Sequence, residues 1–206
     1  MSTVIEYLDR ELLAFGQRFH GHKCPAMPMG LRTGLAALQA LGVERAPDKQ
    51  LMALIELDDD QCSTCWADGI QVATGCTFGK GNIKKLHYGK WVLTLIEKAT
   101  QRAVRVALKT EMMQRSKQSE FMKQRQAGVP ASQIPAAVSG PLIEMVVATP
   151  DERMLTISDV FTYAWEDAPL TFDSTVCASC GELMVTRDAR IKDGKIVCIP
   201  CSGYGK

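Results

Sequence analysis

Two Cys-x2-Cys pairs lie near the end of the sequence. They are Cys177-Ala178-Ser179-Cys180 and Cys198-Ile199-Pro200-Cys201, with 17 residues between them. A turn of this spacing points both sulfurs at one ion, and four thiolates complete a closed zinc tetrahedron. Such a site leaves no position for water or substrate, so its expected role is structural. The intervening chain must fold back on itself, and residues 183–186 and 195–197 flank Lys192-Asp193-Gly194 as the arms of a hairpin. A tail of about 30 residues has too little apolar surface to fold alone, so the metal would supply its stability. A zinc ribbon is expected at Cys177, Cys180, Cys198 and Cys201.

A second constellation lies near the start. The segment Phe19-His20-Gly21-His22-Lys23-Cys24-Pro25 holds two of the three histidines. Alternate residues of an extended segment share a side, so His20, His22 and Cys24 can face one centre. Cys62, Cys65 and Cys76 follow. Cys65 stands at the start of a helix expected at Trp66–Thr74, whose positive end favours a thiolate. Cys76 lies past the other end, more than ~12 Å away if the intervening residues are fully helical. It serves as a further ligand only if that helix is short, and otherwise as a small buried hydrophobe.

Mixed nitrogen and sulfur donors suit zinc first, then iron. A Cys62–Cys65 redox pair lacks the expected βαβ context, and an iron–sulfur cluster has the ligand count without a familiar spacing. The role of Cys62 stays open. Asp68, three residues after Cys65, can orient a ligand or simply cap the helix. Gly75-Cys76-Thr77-Phe78-Gly79-Lys80-Gly81-Asn82 superficially looks like a phosphate loop. It lacks the spacing and the Ser or Thr after Lys80, so it reads as a tight turn. His87 is isolated and reads as structural.

The elements that must place these residues are legible in outline. Ile5, Leu8, Leu12, Phe15 and Phe19 recur at helical spacing, predicting a helix over residues 4–19. Leu31, Leu35, Leu38 and Leu41 mark a second, with Gly42 as its stop. Strands are expected at residues 51–57, 90–96 and 102–108. Residues 109–125 form a polar helix whose Met112, Met113, Phe121 and Met122 need burial. Together with the free strand edges of a small sheet, they point to a homodimer. Residues 126–141 have linker composition, with a short helix near 141–147 and a strand near 155–163 beyond them. The separation of the two cysteine groups divides the chain into residues 1–165 and 170–206.

Composition narrows the function classes. Over 206 residues, 24 Lys and Arg against 23 Asp and Glu give a net charge of +1, which argues against a nucleic-acid binder. The longest uncharged stretch, residues 126–143, is broken by Pro130, Pro135, Gly140 and Pro141, so no membrane span is expected. The acidic and basic residues of the first turns fit no secretory signal. A cytoplasmic chain is expected, with its eight cysteines reduced.

Three segments in order resemble the signature of the FmdE family, the E subunits of formylmethanofuran dehydrogenase. They are FHGHKCPAMPMGLRTG, CWADGIQVATGCTFGKGN and YGK, and the terminal CASC and CIPC pairs resemble the ribbon often appended to that family. The resemblance implies an α+β fold, a helix–strand–helix–strands core with a mixed sheet, followed by the small zinc ribbon. It implies a metal on His20, His22, Cys24 and Cys65, with Cys76 in the matching glycine-rich stretch. Cys62 departs from the family pattern. The resemblance further implies a link to tungsten or molybdenum enzyme subunits that carry a pterin, which nothing in this chain is suited to hold. The resulting expectation is a metal-binding accessory subunit. The alternatives are a free-standing metalloenzyme with an open His/Cys site and a thiol-redox or metal-sensing protein.

Overall fold

The computed structural model describes residues 8–59 and 61–204. The chain divides into two compact units, Met1–Trp165 and Glu166–Lys206.

In the first unit, helix α1 (Arg10–His20) starts where Asp9 accepts hydrogen bonds from the amides of Glu11 (3.1 Å) and Leu12 (3.3 Å). The expected start at residue 4 falls outside the described residues, and Leu8 precedes the helix. Gly21, at φ +88°, ends it. Helix α2 (Ala26–Leu41) begins five residues earlier than its leucine stripe suggests. Pro28 sits in its first turn, where the missing N–H has no intrahelical partner to lose. Strand β1 (Leu51–Ile55) and helix α3 (Trp66–Thr74) follow, the latter over the expected residues.

Next come β2 (Ile83–Lys85), β3 (Val92–Glu97) and β4 (Arg102–Leu108). The polar segment after β4 is two helices, α4 (Thr110–Lys117) and α5 (Glu120–Gln126), broken where Ser119 caps the second. Helices α6 (Ala136–Ala148) and α7 (Asp151–Met154) and strands β5 (Leu155–Ile157) and β6 (Phe161–Thr162) complete the unit.

The sheet order is β2-β1-β3-β4-β5, with β6 also on β4. β1 and β2 are parallel and the other pairs antiparallel, so the sheet is mixed and the fold α+β. Alternation sorts the side chains. Leu51, Ala53, Ile55, Leu93, Leu95, Val104 and Val106 form the core with residues of α2 and α3. Met52, Leu54, Ile96 and Ala103 lie in a second cluster, with Leu86, Tyr163 and Trp165 packed against it.

Met112, Phe121 and Met122 are buried within the chain. Three of the four side chains that pointed to a dimer are thus already covered, and Met113 is half-buried. Residues 126–141 are not a plain linker, because α6 occupies their second half. Arg32 of α2, itself buried, donates to the α6 carbonyls of Val146 (3.0 Å) and Val147 (2.9 Å) and pairs with Asp151. A cation thus closes the negative end of a helix more than a hundred residues away in sequence.

The contact of α2 with α3 is backbone on backbone. A Cβ built on Gly30 would lie 1.9 Å from Trp66 O, and one on Gly69 would lie 2.1 Å from Met27 O. Helix propensity alone would favour Ala over Gly by ~1 kcal/mol. Here overpacking against an immobile backbone outweighs that gain. Gly30→Ala is expected to destabilise the first unit by about 3 kcal/mol, read as a lower denaturation midpoint. A midpoint equal to that of the parent would refute the close approach.

In the second unit, β7 (Ser174–Val176) pairs with β8 (Leu183–Val185), and β9 (Arg190–Lys192) pairs with β10 (Lys195–Val197). The helix α8 (Ile199–Ser202) ends it. This corrects the single hairpin expected between residues 183–186 and 195–197. Asp193 and Gly194 both have positive φ, +51° and +71°. A two-residue turn of that kind pairs the strands directly on either side of it. Among the described residues, no helix is long and apolar enough to cross a membrane.

Candidate metal centre

His20, His22, Cys24 and Cys65 converge, with one ligand atom from each lying within 4.8 Å of all the others. His20 is the last residue of α1, and the left-handed Gly21 turns the chain so that His22 comes back over it. The His20 and His22 Nε2 atoms are 3.1 Å apart, and Cys24 Sγ lies 3.7 Å from His20 Nε2. Cys24 directly precedes α2, and Cys65 caps α3. The glycine contact between those helices therefore brings the two thiols together at two positive helix ends. Tetrahedral zinc with bonds of ~2.0–2.3 Å needs donors ~3.3–3.8 Å apart, close to the spacing found.

Asp68, one turn into α3, accepts from His20 Nδ1 at 2.7 Å. This fixes the ring and leaves Nε2 turned to the other donors, the orienting pattern of metal-bound histidines. The same carboxylate, followed by the Cys65 hydrogen bond, raises the His20 pKa to about 9. Burial, then the His20 charge, lowers that of His22. Cys24 and Cys65 titrate against each other, so Cys65 is not the low-pKa thiol that its place at a helix start suggested. Their hydrogen bond lowers the Cys24 pKa and raises that of Cys65, which burial raises further.

These directions set a pH dependence. His20 is raised from an ordinary 6.5 to about 9, so in the metal-free fold its charged pair stabilises fully below pH 6.5. That contribution is lost as the pH rises through about 9. Metal binding runs the opposite way, since the ion must displace that proton. Zinc affinity is expected to fall at least about tenfold for each pH unit below 9, one proton per unit being the minimum. Competitive chelator titrations from pH 6 to 9 measure it. His20→Asn should reduce the slope by about one proton and leave the contribution of the thiols, and a flat wild-type profile would refute ligation by His20.

Cys177, Cys180, Cys198 and Cys201 form the second group of clustered donors. Cys177 Sγ accepts from the amides of Ser179 (3.4 Å) and Cys198 (3.3 Å), and Cys180 and Cys198 sulfurs are 3.9 Å apart. Amide donors, that of Cys180 foremost, lower the Cys177 pKa to about 6 and favour its thiolate. Both groups can hold a metal ion.

Cys76 joins neither group. It is fully buried in the main core, where desolvation raises its pKa. The glycine-rich stretch after it is a clasp. Lys80 Nζ donates to the carbonyls of Ala46 (3.2 Å) and Pro47 (3.1 Å), and buried Asn82 donates to Leu51 O (3.1 Å). His87 pairs with Asp58 on the surface at 3.0 Å.

A cavity of about 460 Å³ opens beside the first group. His22, Cys24 and Cys65 line it, and so does Cys62, which gives that residue a place although it is not among the converging donors. The opposite wall comes from α4, α5 and the chain after them, with Met113, Phe121, Met122 and Arg125. Sequence reasoning missed this wall. Its one signal was the set of apolar residues in the polar 109–125 segment, which turn inward to their own chain.

The family description "FmdE, Molybdenum formylmethanofuran dehydrogenase operon" matches residues 19–156. A curated protein of Archaeoglobus fulgidus, named "Probable S-adenosyl-L-methionine-binding protein", is 30% identical over 203 residues. The alignment covers 93% of this chain and 52% of that protein, so this chain spans about half the relative's length. The crystal structure of a tungsten formylmethanofuran dehydrogenase FmdE-like protein from Syntrophus aciditrophicus superposes with a TM-score of 0.61 at 20% identity. That superposition covers 98% of this chain and 97% of the other, and it shows a shared fold. The match across residues 19–156, which spans the converging histidines and cysteines and the sheet beneath them, places this chain in the FmdE family.

Proposed function

We propose that the chain is a metal-binding accessory protein of a tungsten or molybdenum enzyme system of the formylmethanofuran dehydrogenase type. Its first unit would hold one zinc ion at His20, His22, Cys24 and Cys65, and its ribbon a second, structural one. The observation that carries this reading is the four-donor cluster with its Asp68-oriented histidine. Two imidazoles and two thiolates fit zinc, which supplies Lewis acidity and a fixed positive charge when bound. The residues around it hold the donors in place. Asp68 sets the His20 ring, and the amides at the start of α2 favour the Cys24 thiolate.

The cavity favours a second reading, a free-standing metalloenzyme or small-ligand carrier. Its volume of about 460 Å³ is in the range of small-molecule sites. The name of the A. fulgidus relative makes S-adenosyl-L-methionine one ligand to assay. Affinity capture of the tagged chain from an anaerobic lysate, with metal analysis of the eluate, tests the accessory role. The expected result is two zinc ions per chain together with the pterin-carrying enzyme. Zinc without that enzyme would shift the weight to the second reading.

A further inference from the structure

The cavity beside the first donor group has an uneven charge pattern. No Asp or Glu among the described residues lines it. Apart from the His and Cys side chains, the one ionisable group in its wall is Arg125 of α5. That guanidinium is close enough for its charge to depress His22. It donates to Val129 O (2.7 Å), which fixes its direction, and it enters none of the ion pairs found among the described residues. Gln61 also lines the cavity. Gln61 accepts from the Asp58 amide through Oε1 (2.8 Å), and its buried Nε2 has no partner among the described residues. Met29, Met113, Phe121 and Met122 supply an apolar wall, and uncharged Ser, Thr and Gln side chains complete the lining.

We infer that this cavity binds a small organic carboxylate, its anionic head between Arg125 and Gln61 and its apolar body against the methionine-rich wall. The inference rests on the metal reading above in one respect. Two thiolates and a divalent cation sum to zero, and the Asp68 carboxylate that holds His20 is not part of the cavity wall, so Arg125 is the net charge a ligand meets there. A guanidinium takes a carboxylate in bidentate fashion. An unpaired buried amide donor gains most from a ligand that satisfies it. The flexible thioethers of Met113 and Met122 adapt to alkyl chains of differing shape. A cationic ligand of the same length meets Arg125 and finds no carboxylate to oppose it.

The test uses the full chain purified with its metals, their number measured first, and titrated calorimetrically with hexanoate and with hexylamine. Hexanoate is expected to bind and hexylamine not to. Arg125→Ala should weaken hexanoate by about tenfold or more with the metal count unchanged, and Arg125→Lys should recover part of the loss. Arg125 is exposed, with a single hydrogen bond from its side chain among the described residues, so both variants should fold. No binding of hexanoate, equal binding of the amine, or an Arg125→Ala affinity equal to the parent's would overturn the proposal. A wild-type chain holding only the ribbon ion, yet binding hexanoate through Arg125, would support this proposal and reject the metal reading of the first unit.

Discussion

Cys24→Ala is expected to lower the metal content from two ions per chain to one. Cys24 is only 2% exposed, its sulfur lies 3.7 Å from His20 Nε2, and Cys65 with the amides at the start of α2 favours its thiolate. Among the described residues no other thiol replaces that donor, because Cys62 stands outside the converging group and Cys76 is enclosed in the core. Three remaining donors of mixed type would lose the ion to a mild chelator. The thermal midpoint of the first unit should fall as well, since an ion that binds only the folded state stabilises it by mass action. Elemental analysis of the parent and the variant decides the matter. The same count in both would mean that these side chains are only packed against one another. Zinc lost from the ribbon as well would mean that the variant had failed globally, which circular dichroism detects.

Cys180→Ser should cost the other ion, with a different structural result. Among the described residues of the second unit, only Cys177, Val197 and Ser202 are buried. Two short hairpins with three buried residues cannot offset the entropy of ordering their backbone. Structural zinc contributes roughly 10–16 kcal/mol in comparable small domains. Loss of one thiolate should therefore melt residues 166–206, while 1–165 keeps its own core. Limited proteolysis followed by mass spectrometry should show a rapidly removed tail and an intact first unit. A tail as protected as that of the parent would refute the structural role.

How far the sequence discloses this arrangement differs between its parts. Helix α3 is legible to the residue, because Gly75 stops it and the apolar spacing is regular. The alternation of His20, His22 and Cys24 discloses a shared centre, and the position of Asp68 after Cys65 discloses a possible orienter. The start of α2 is hidden by Pro25 and Pro28, which look like loop residues but occupy a helix start. Strand β2 has three residues at the sheet edge, too few for a period to show. Helix α6 is legible only in its second half, near 141–147; its first turns lie in a stretch of linker composition, and its end is closed by Arg32, a contact spanning most of the first unit that no local pattern encodes. The cavity wall is hidden for the same reason. Its polar residues describe a solvated helix until the tertiary fold turns Phe121 and Met122 inward.

The Gly30–Gly69 contact bears on which ions the first centre accepts. Two helices touching through their main chains have no rotamers with which to adjust, so the separation of Cys24 from Cys65 is settled when the protein folds. The entropy of assembling the cage is spent before any ion arrives, whereas the ribbon must order itself around its own. A rigid cage of this kind discriminates by coordination geometry. An ion that prefers six oxygen donors or a square plane would have to distort main chain to fit, while a tetrahedral one enters without rearrangement.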